Sequence, residues 1–450
     1  MEAARYSMLC ALVLVAGLVS AIGLISPADA ATFSVIHSFC TVPTGCVDGE
    51  VPVGTLVMDQ AGNLYGTTLF VGAQGNGVVF ELTPVPGENK WKERVLYNFC
   101  AVNNCADGTG PVGALIVDTL GNLYGTTSDG GSANNKGTIF ELSPIAGTNR
   151  WSETVLYSFC SNDSACTDGS HPAAGLTYHG AAAGAAYDGT STLYGTAATG
   201  GRYASGTAFT FRPSKHGGWV ERPIYAFCAE RREACADGSS PNTRLLVGST
   251  GTLYGTTADG GANEAGTVFK LTSNSGSELW SLTVLHSFCS MPQCADGQYP
   301  SSAVVMDNAG NLFGATTSGG NGASCPDVGI CGTIYTVSPN GGESVVYNFC
   351  SKADCRDGSD PIGDLAANGT SIFGTTFGTR VINSQDLYGD NLFELTGLTL
   401  NVLHAFCRGE LVCLEGRGQQ GVIVDGAGNV FGVSPYGGAG RRGNVFEWSP

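Results

Sequence analysis

The Phe-Cys dipeptide occurs seven times at near-regular spacing, and that recurrence limits the possible fold more than any other feature of the chain. It begins at Phe39, Phe99, Phe159, Phe227, Phe288, Phe349 and Phe406, so successive copies lie 60, 60, 68, 61, 61 and 57 residues apart. Periods of this length mark arrays in which each unit buries its apolar face against the next. Each unit holds four strand-like runs; in the second they are "GALIVD", "NLYGTT", "GTIFELSP" and "WSETVLYSF". Gly121 and Asn122 between the first two suit a tight hairpin that needs positive φ. Pro144 and the polar "IAGTNR" separate the third run from the fourth. Four antiparallel strands per unit describe a β-propeller blade. A linear β-solenoid is the alternative, but its repeats are shorter and carry no four-strand meander.

The chain ends sharpen this reading. The last unit stops at "GNVFEWSP", the counterpart of "GTIFELSP", without a fourth strand. Residues 31–39, "ATFSVIHSF", form a fourth strand without the preceding three. Joined, the two complete one more blade and remove the sheet edges that an open array would expose. The expected fold is all-β: a seven-bladed β-propeller of four-stranded antiparallel blades, one domain over residues 31–450, with its ring closed by the N-terminal strand.

Residues 1–30 read as a signal peptide. Arg5 precedes an apolar run from Met8 to Ile25, and Ala28-Asp29-Ala30 offers a small-x-small cleavage site. An uncleaved anchor is the alternative. After cleavage no second apolar stretch is long enough to span a bilayer. A secreted protein, extracellular or periplasmic and monomeric, is expected. Glycine reaches 67 residues and charged residues only 13%, which suits many short strands and tight turns. The formal net charge of −17 excludes nucleic acid, whose phosphates require clustered Lys and Arg.

Without Cys10 the cysteines form an even set of close neighbours. Cys40 stands near Cys46, Cys100 near Cys105, Cys160 near Cys166 and Cys228 near Cys235. Further on, Cys289 stands near Cys294, Cys325 near Cys331, Cys350 near Cys355 and Cys407 near Cys413. Each unit carries its own pair, which points to local disulfides, each worth roughly 2 kcal/mol for so short a loop. Zinc would call for CxxC-type pairs converging in fours, whereas these spacings run from five to seven.

Behind each pair stands a carboxylate: Asp48, Asp107, Asp168, Asp237, Asp296, Asp357 and, in the seventh unit, Glu415. Proline follows four positions later in six units, and Gln419 replaces it in the seventh. Asp before Gly suits an Asx-turn, a structural role for this ring. Calcium or ligand contact by a subset is the rival, and calcium is the one cofactor the ring leaves open. His37, His286 and His404 fill a slot held elsewhere by Tyr97, Tyr157, Tyr225 and Tyr347, so they read as aromatic stand-ins. Trp91, Trp151, Trp219 and Trp280 open fourth strands and are expected to pack between blades. No GxSxG, HExxH or GxxxxGK motif is present.

Symmetry breaks at "YHGAAAGAAYDG" in the third unit, "NGASCPDVGICG" in the fifth and "FGTRVINSQDLYGDN" in the sixth. Arg356, Arg408, Arg417, Arg441 and Arg442 fall in loops of the disulfide-bearing face around the sixth and seventh units, a candidate site for anionic groups. Solvated charge is the plainer account of the same residues.

The pattern "GNLYGTTSDGG" followed by "GTIFELSP" resembles the secreted bacterial GloVer tandem-repeat family, also described as choice-of-anchor GloVer proteins. The likeness covers nearly all of the mature chain. It implies an extracellular repeat domain and supplies no catalytic residues. Family members often end in surface-anchoring segments, and none is legible before Pro450. The leading expectation is a disulfide-stabilised binding module for a glycan or surface protein. An extracellular carbohydrate-active hydrolase or lyase is the rival, and a structural envelope component the third reading.

Overall fold

The computed structural model describes residues 31–450 apart from 43–44, 89, 133, 162–164, 230–234, 275–277, 324, 326–330, 383–384, 389 and 408–412, and leaves out the side chains of 379–389. The proposed signal peptide and Arg408 lie outside the described residues. Seven antiparallel sheets form a seven-bladed β-propeller. Blade 1 consists of Glu50–Met58, Leu64–Phe70, Val78–Pro84 and Trp91–Asn98, paired in sequence order from the inner strand outward. Blades 2 to 4 repeat this with inner strands Thr109–Val117, Thr177–Tyr178 and Leu246–Val247. In blade 5 the inner strand is split into Gln298–Pro300 and Val305–Met306, both paired to Leu312–Ser318. Blade 6 starts at Pro361–Asn368.

Blade 7 is built from both ends of the described chain. Val422–Val424, Val430–Ser434 and Asn444–Ser449 supply three strands, and Thr32–Ser38 supplies the outer one. The register runs from Thr32 opposite Ser449 to Ser38 opposite Asn444. The closing strand expected from the sequence is therefore in place.

The Phe of each Phe-Cys dipeptide explains how blades adhere. Its ring is buried and meets the third-strand aromatic of the next blade edge-on, as in Phe99–Phe140 at 5.0 Å and Phe288–Tyr335 at 4.8 Å. Phe39–Phe80 and Phe406–Phe446 make the same contact on either side of blade 7. Such pairs add about 0.5–1.5 kcal/mol beyond area burial. That same third-strand ring lies over the glycine of "LYGTT": a Cβ on Gly66 would stand 2.5 Å from Phe80 Cζ. Glycine is needed there for room. Trp91, Trp219 and Trp280 reach back to Phe431, Tyr124 and Tyr194 of the preceding blade, as expected from the sequence.

All eight expected disulfides form, with Cα atoms 4.0–5.9 Å apart. Seven clamp the loops between blades: Cys40 bonds Cys46, Cys100 bonds Cys105, Cys160 bonds Cys166 and Cys228 bonds Cys235. Cys289 bonds Cys294, Cys350 bonds Cys355 and Cys407 bonds Cys413 in the same way. The eighth, Cys325 with Cys331, is an extra bridge that packs against Cys350 and Cys355. The third-unit insertion carries the buried Tyr187 against Tyr124 of blade 2. The sixth-unit insertion makes a two-stranded ribbon, Thr379–Ile382 with Gln385–Tyr388. No helix among the described residues is long and apolar enough to cross a membrane.

Candidate functional site

The first cysteine of each of the seven loops has left-handed backbone, from Cys407 at φ 50° to Cys228 at 66°. The second cysteine shares that conformation at Cys105, Cys166, Cys235, Cys294 and Cys355. The first turn takes the chain out of the outer strand at a cost of about 1–3 kcal/mol for a non-glycine residue. The loop carboxylate compensates. Cys160 N–H donates to Asp168 at 2.8 Å and Tyr157 OH donates to the same oxygen at 2.8 Å. Asp107 takes the Tyr97 hydroxyl at 2.8 Å, Asp237 that of Tyr225 at 2.7 Å and Asp357 that of Tyr347 at 2.8 Å. Where the slot holds histidine, Nε2 lies 3.1 Å from Asp296 and 3.1 Å from Glu415, and 3.6 Å from Asp48. These carboxylates thus bond backward, to the preceding strand end. Asx-turns of the kind expected from the sequence occur instead at Asp59, Asp118, Asp307 and Asp425, in hairpins between first and second strands.

A second ring of left-handed residues stands where each inner strand begins: Val51, Gly110, His171, Ser240, Tyr299, Asp360 and Gly418. In six units proline follows at once, which favours extended backbone at the residue before it, and Val51 is β-branched. The conformation is therefore disfavoured more than once. It is held by the preceding blade: Val51 N–H donates to Arg442 O at 2.9 Å, His171 to Lys136 O at 2.9 Å and Asp360 to Cys331 O at 2.9 Å. None of the five non-glycine residues is fully buried, and Tyr299 is 43% exposed. Their side chains share no chemistry, although the backbone around them repeats. His171 joins two blades, its Nδ1 lying 2.9 Å from Thr199 Oγ1 and its Nε2 3.5 Å from Asp129.

From two or three residues further along each inner strand, all seven units line a central channel with a cavity of about 230 Å³. One layer of it carries Thr55, Ala114, Gly175, Arg244, Asp364 and Gly421. Arg244 lies 3.4 Å from Asp364 Oδ2 across the blades. Thr55 Oγ1 donates to the same carboxylate at 3.1 Å, and Ala303 N–H to its other oxygen at 3.0 Å.

The sequence-predicted arginines are distributed over successive loops. Arg356 is exposed in the loop between blades 5 and 6. Arg417 is half-buried between blades 6 and 7, where its charge acts on Asp390. Arg441 and Arg442 are exposed on blade 7, and Arg442 pairs with Glu50 at 2.8 Å. Arg417 and Arg442 thus answer to different carboxylates. Two acids that sequence reasoning did not single out, Asp360 and Asp390, lie together beside Arg417. Burial and the nearby charge of Asp390 push Asp360 up to about 7, and burial raises Asp390 to about 6. Among the described residues, the one metal-like grouping is Cys40, Cys46 and Glu50, and its two sulfurs are tied in a disulfide.

Four further acids stand in outer strands against the preceding blade's loop: Glu221 is buried, and Glu93, Glu153 and Glu343 are half-buried. Each leaves one oxygen without a hydrogen-bond partner. Burial, reinforced by Asp168, pushes Glu221 to about 9; burial, reinforced by Asp107, pushes Glu153 to about 8.

A family model described as the Gloeobacter/Verrucomicrobia repeat matches residues 17–192 and 180–388. No curated protein matches the chain in sequence. Among solved structures, an oxidoreductase (glucose dehydrogenase) from Thermus thermophilus is similar at 11% identity and TM-score 0.39, over 93% of this chain and 100% of that one. A polysaccharide lyase is similar at 9% identity and TM-score 0.47, over 89% and 90%. Likeness at this level transfers no activity.

Proposed function

Because the chain belongs to the Gloeobacter/Verrucomicrobia repeat family, we propose that it works as a secreted binding module that holds a glycan or another envelope partner at the channel mouth on the disulfide face. The eight disulfides fit an oxidising compartment. The observation that carries the reading is the left-handed ring. Val51, His171, Ser240, Tyr299 and Asp360 keep a costly conformation while differing in chemistry, and strain of this kind concentrates at functional positions. Seven clamped loops hold the ring rigid, which lowers the entropy lost when a partner binds.

The test begins with mature protein screened against glycans and cell-envelope fractions. For a ligand so found, the His171→Ala/Tyr299→Ala variant should bind at least tenfold more weakly, while losing only about 1 kcal/mol of stability with the His171 contacts to Thr199 and Asp129. Leu398→Ala, in a hairpin between third and fourth strands, should bind normally. The reverse pattern would move the site off this face.

A second reading is supported by Asp360 and Asp390. A carboxyl titrating near 7 beside another near 6 suits general acid–base work on a glycosidic bond. Turnover of an oligosaccharide that stops in Asp360→Asn while binding persists would favour this hydrolase or lyase over a passive module.

A further inference from the structure

Among the described residues, Arg244 is the one cation in a channel layer otherwise made of small residues and a single acid. Its equivalents in the other units are Thr55, Ala114, Gly175, Ala303, Asp364 and Gly421. Inner strands approach so closely here that a Cβ on Gly421 would come within 2.3 Å of Thr55 Oγ1. A guanidinium in this place is therefore a local exception to a ring built from small side chains. Asp364 alone does not satisfy it. The two meet at 3.4 Å through one guanidinium nitrogen, while the Asp364 oxygens each accept one other bond, from the Thr55 hydroxyl and the Ala303 N–H, and keep lone pairs for a further donor. Arginine presents five donors in a planar fork, and this one, on the cavity wall, meets its single carboxylate through one nitrogen.

We propose that Arg244 and Asp364 form a subsite for one hydroxy-carboxylate group, such as the terminal residue of an acidic sugar. This inference rests on the binding-module reading and names the chemistry at the base of its mouth. The ligand carboxylate would take paired hydrogen bonds from Arg244, and a neighbouring hydroxyl would donate to Asp364. Charge balance sets the class. The pair is neutral, so a dianion such as a phosphate monoester would be repelled by Asp364, while a monoanion that brings its own donors satisfies both ends. The cavity of about 230 Å³ lies below the usual range for drug-sized ligands, which suits one sugar unit. The chain's net charge of −17 disfavours a long polyanion lying across the face and favours a single terminal charge entering the channel.

The experiment is calorimetric titration of the full mature protein with D-glucuronate, D-glucose, inorganic phosphate and glycine in turn. Glucuronate should bind and the other three should not. Arg244→Met should abolish the signal, and Arg244→Lys, which keeps the charge but not the fork, should weaken it at least tenfold. Both variants should keep the circular dichroism of the parent; if Met disturbs the fold, the Lys variant decides. The proposal is overturned if glucuronate does not bind, if glycine or phosphate binds as well as glucuronate, or if Arg244→Lys binds unchanged. The mouth reading fails separately: His171→Ala/Tyr299→Ala would leave binding of larger partners intact, whatever glucuronate does.

Discussion

Between blades 1 and 2, Gly77 lies beneath Pro111, and a Cβ at Gly77 would come within 2.7 Å of the proline ring. Between blades 6 and 7 the same two positions carry Asp390 and Gln419. The Gly–Pro contact recurs at the other interfaces, with Gly137 on Pro172, Gly206 on Pro241, Gly266 on Pro300, Gly332 on Pro361 and Gly443 on Pro52. There the position leaves no space for a side chain. Loss of the proline ring removes one wall at blade 7, and a carboxylate occupies the place. Asp390 then accepts the N–H of Gly418 at 3.1 Å and that of Gly378 at 2.9 Å. At the corresponding position in blade 1, the N–H of Val51 goes to a backbone carbonyl instead. The two departures are a single exchange. It turns a sterically saturated joint into one that holds a buried acid next to Asp360, on the face proposed to bind.

The strongest way to break this comparison is to copy half of the exchange into a regular joint. Gly137→Asp would place Cβ 2.4 Å from Thr127 O as well as 2.7 Å from Pro172 Cδ, at φ +97°. A loss of about 4 kcal/mol or more is expected by thermal or denaturant unfolding. Adding Pro172→Gln should recover only part, because Thr127 O remains. The converse change, Asp390→Gly, strips the acceptor from two N–H groups and should cost about 2–3 kcal/mol. Combined with Gln419→Pro, it rebuilds the regular joint, so the double variant should be more stable than the sum of the singles predicts. A coupling below about 0.5 kcal/mol in that cycle would mean that the two positions are independent.

Proton linkage separates the joints more gently. At four of them an outer-strand glutamate with one enclosed oxygen faces a loop carboxylate, whereas between blades 6 and 7 the equivalent place holds Phe33, stacked on His404 at 3.8 Å. A carboxyl whose folded pKa is raised keeps its proton in the native state after the unfolded chain has released it. Stability is then greatest below the unfolded value of about 4.5 and falls as pH rises toward the folded one. For Glu221 and Glu153 that window extends to about 9 and 8. For Asp390 and Asp360 it closes near 6 and 7. Glu221→Gln should therefore raise stability at pH 8 by about 1–2 kcal/mol and leave it unchanged at pH 4. Equal effects at both pH values would assign the gain to packing. The smallest change expected is Arg442→Ala. Its pair with Glu50 is more than half exposed on the arginine side, so less than about 1 kcal/mol should be lost.

What repeats was legible in the sequence, and what occurs once was not. Seven copies of Phe-Cys, with an orphan fourth strand at residues 31–39 and a last unit that stops at its third, specified blade number and closure, because a pattern averaged over seven units outweighs local irregularity. The disulfides followed for the same reason. The bond between each loop carboxylate and the Tyr or His slot is not legible in the sequence, although both positions repeat there. They are separated by loops of different length, so no fixed spacing couples them. Gln419 stood out at once, but its counterpart Asp390 is hidden in an irregular stretch of the sixth unit. Arg244 and Asp364 did leave a trace: an ionisable residue just before the repeat leucine or valine, where other units have Ala, Gly or Thr. Their approach across the channel has no counterpart in sequence distance.

The strand that completes blade 7 also sets a clock. Ala439 N–H donates to Ser38 Oγ, residues 401 positions apart, and neighbouring backbone pairs join Thr32–Ser38 to the last strand. At roughly 5–20 residues per second of synthesis, the first strand waits on the order of 20–80 s for its partner to be made. Six blades can form by local pairing in the meantime, each from contiguous chain. The seventh is the one step of high contact order, and such steps are slow. Completion of the ring is thus a late event, separated in time from the formation of every other sheet.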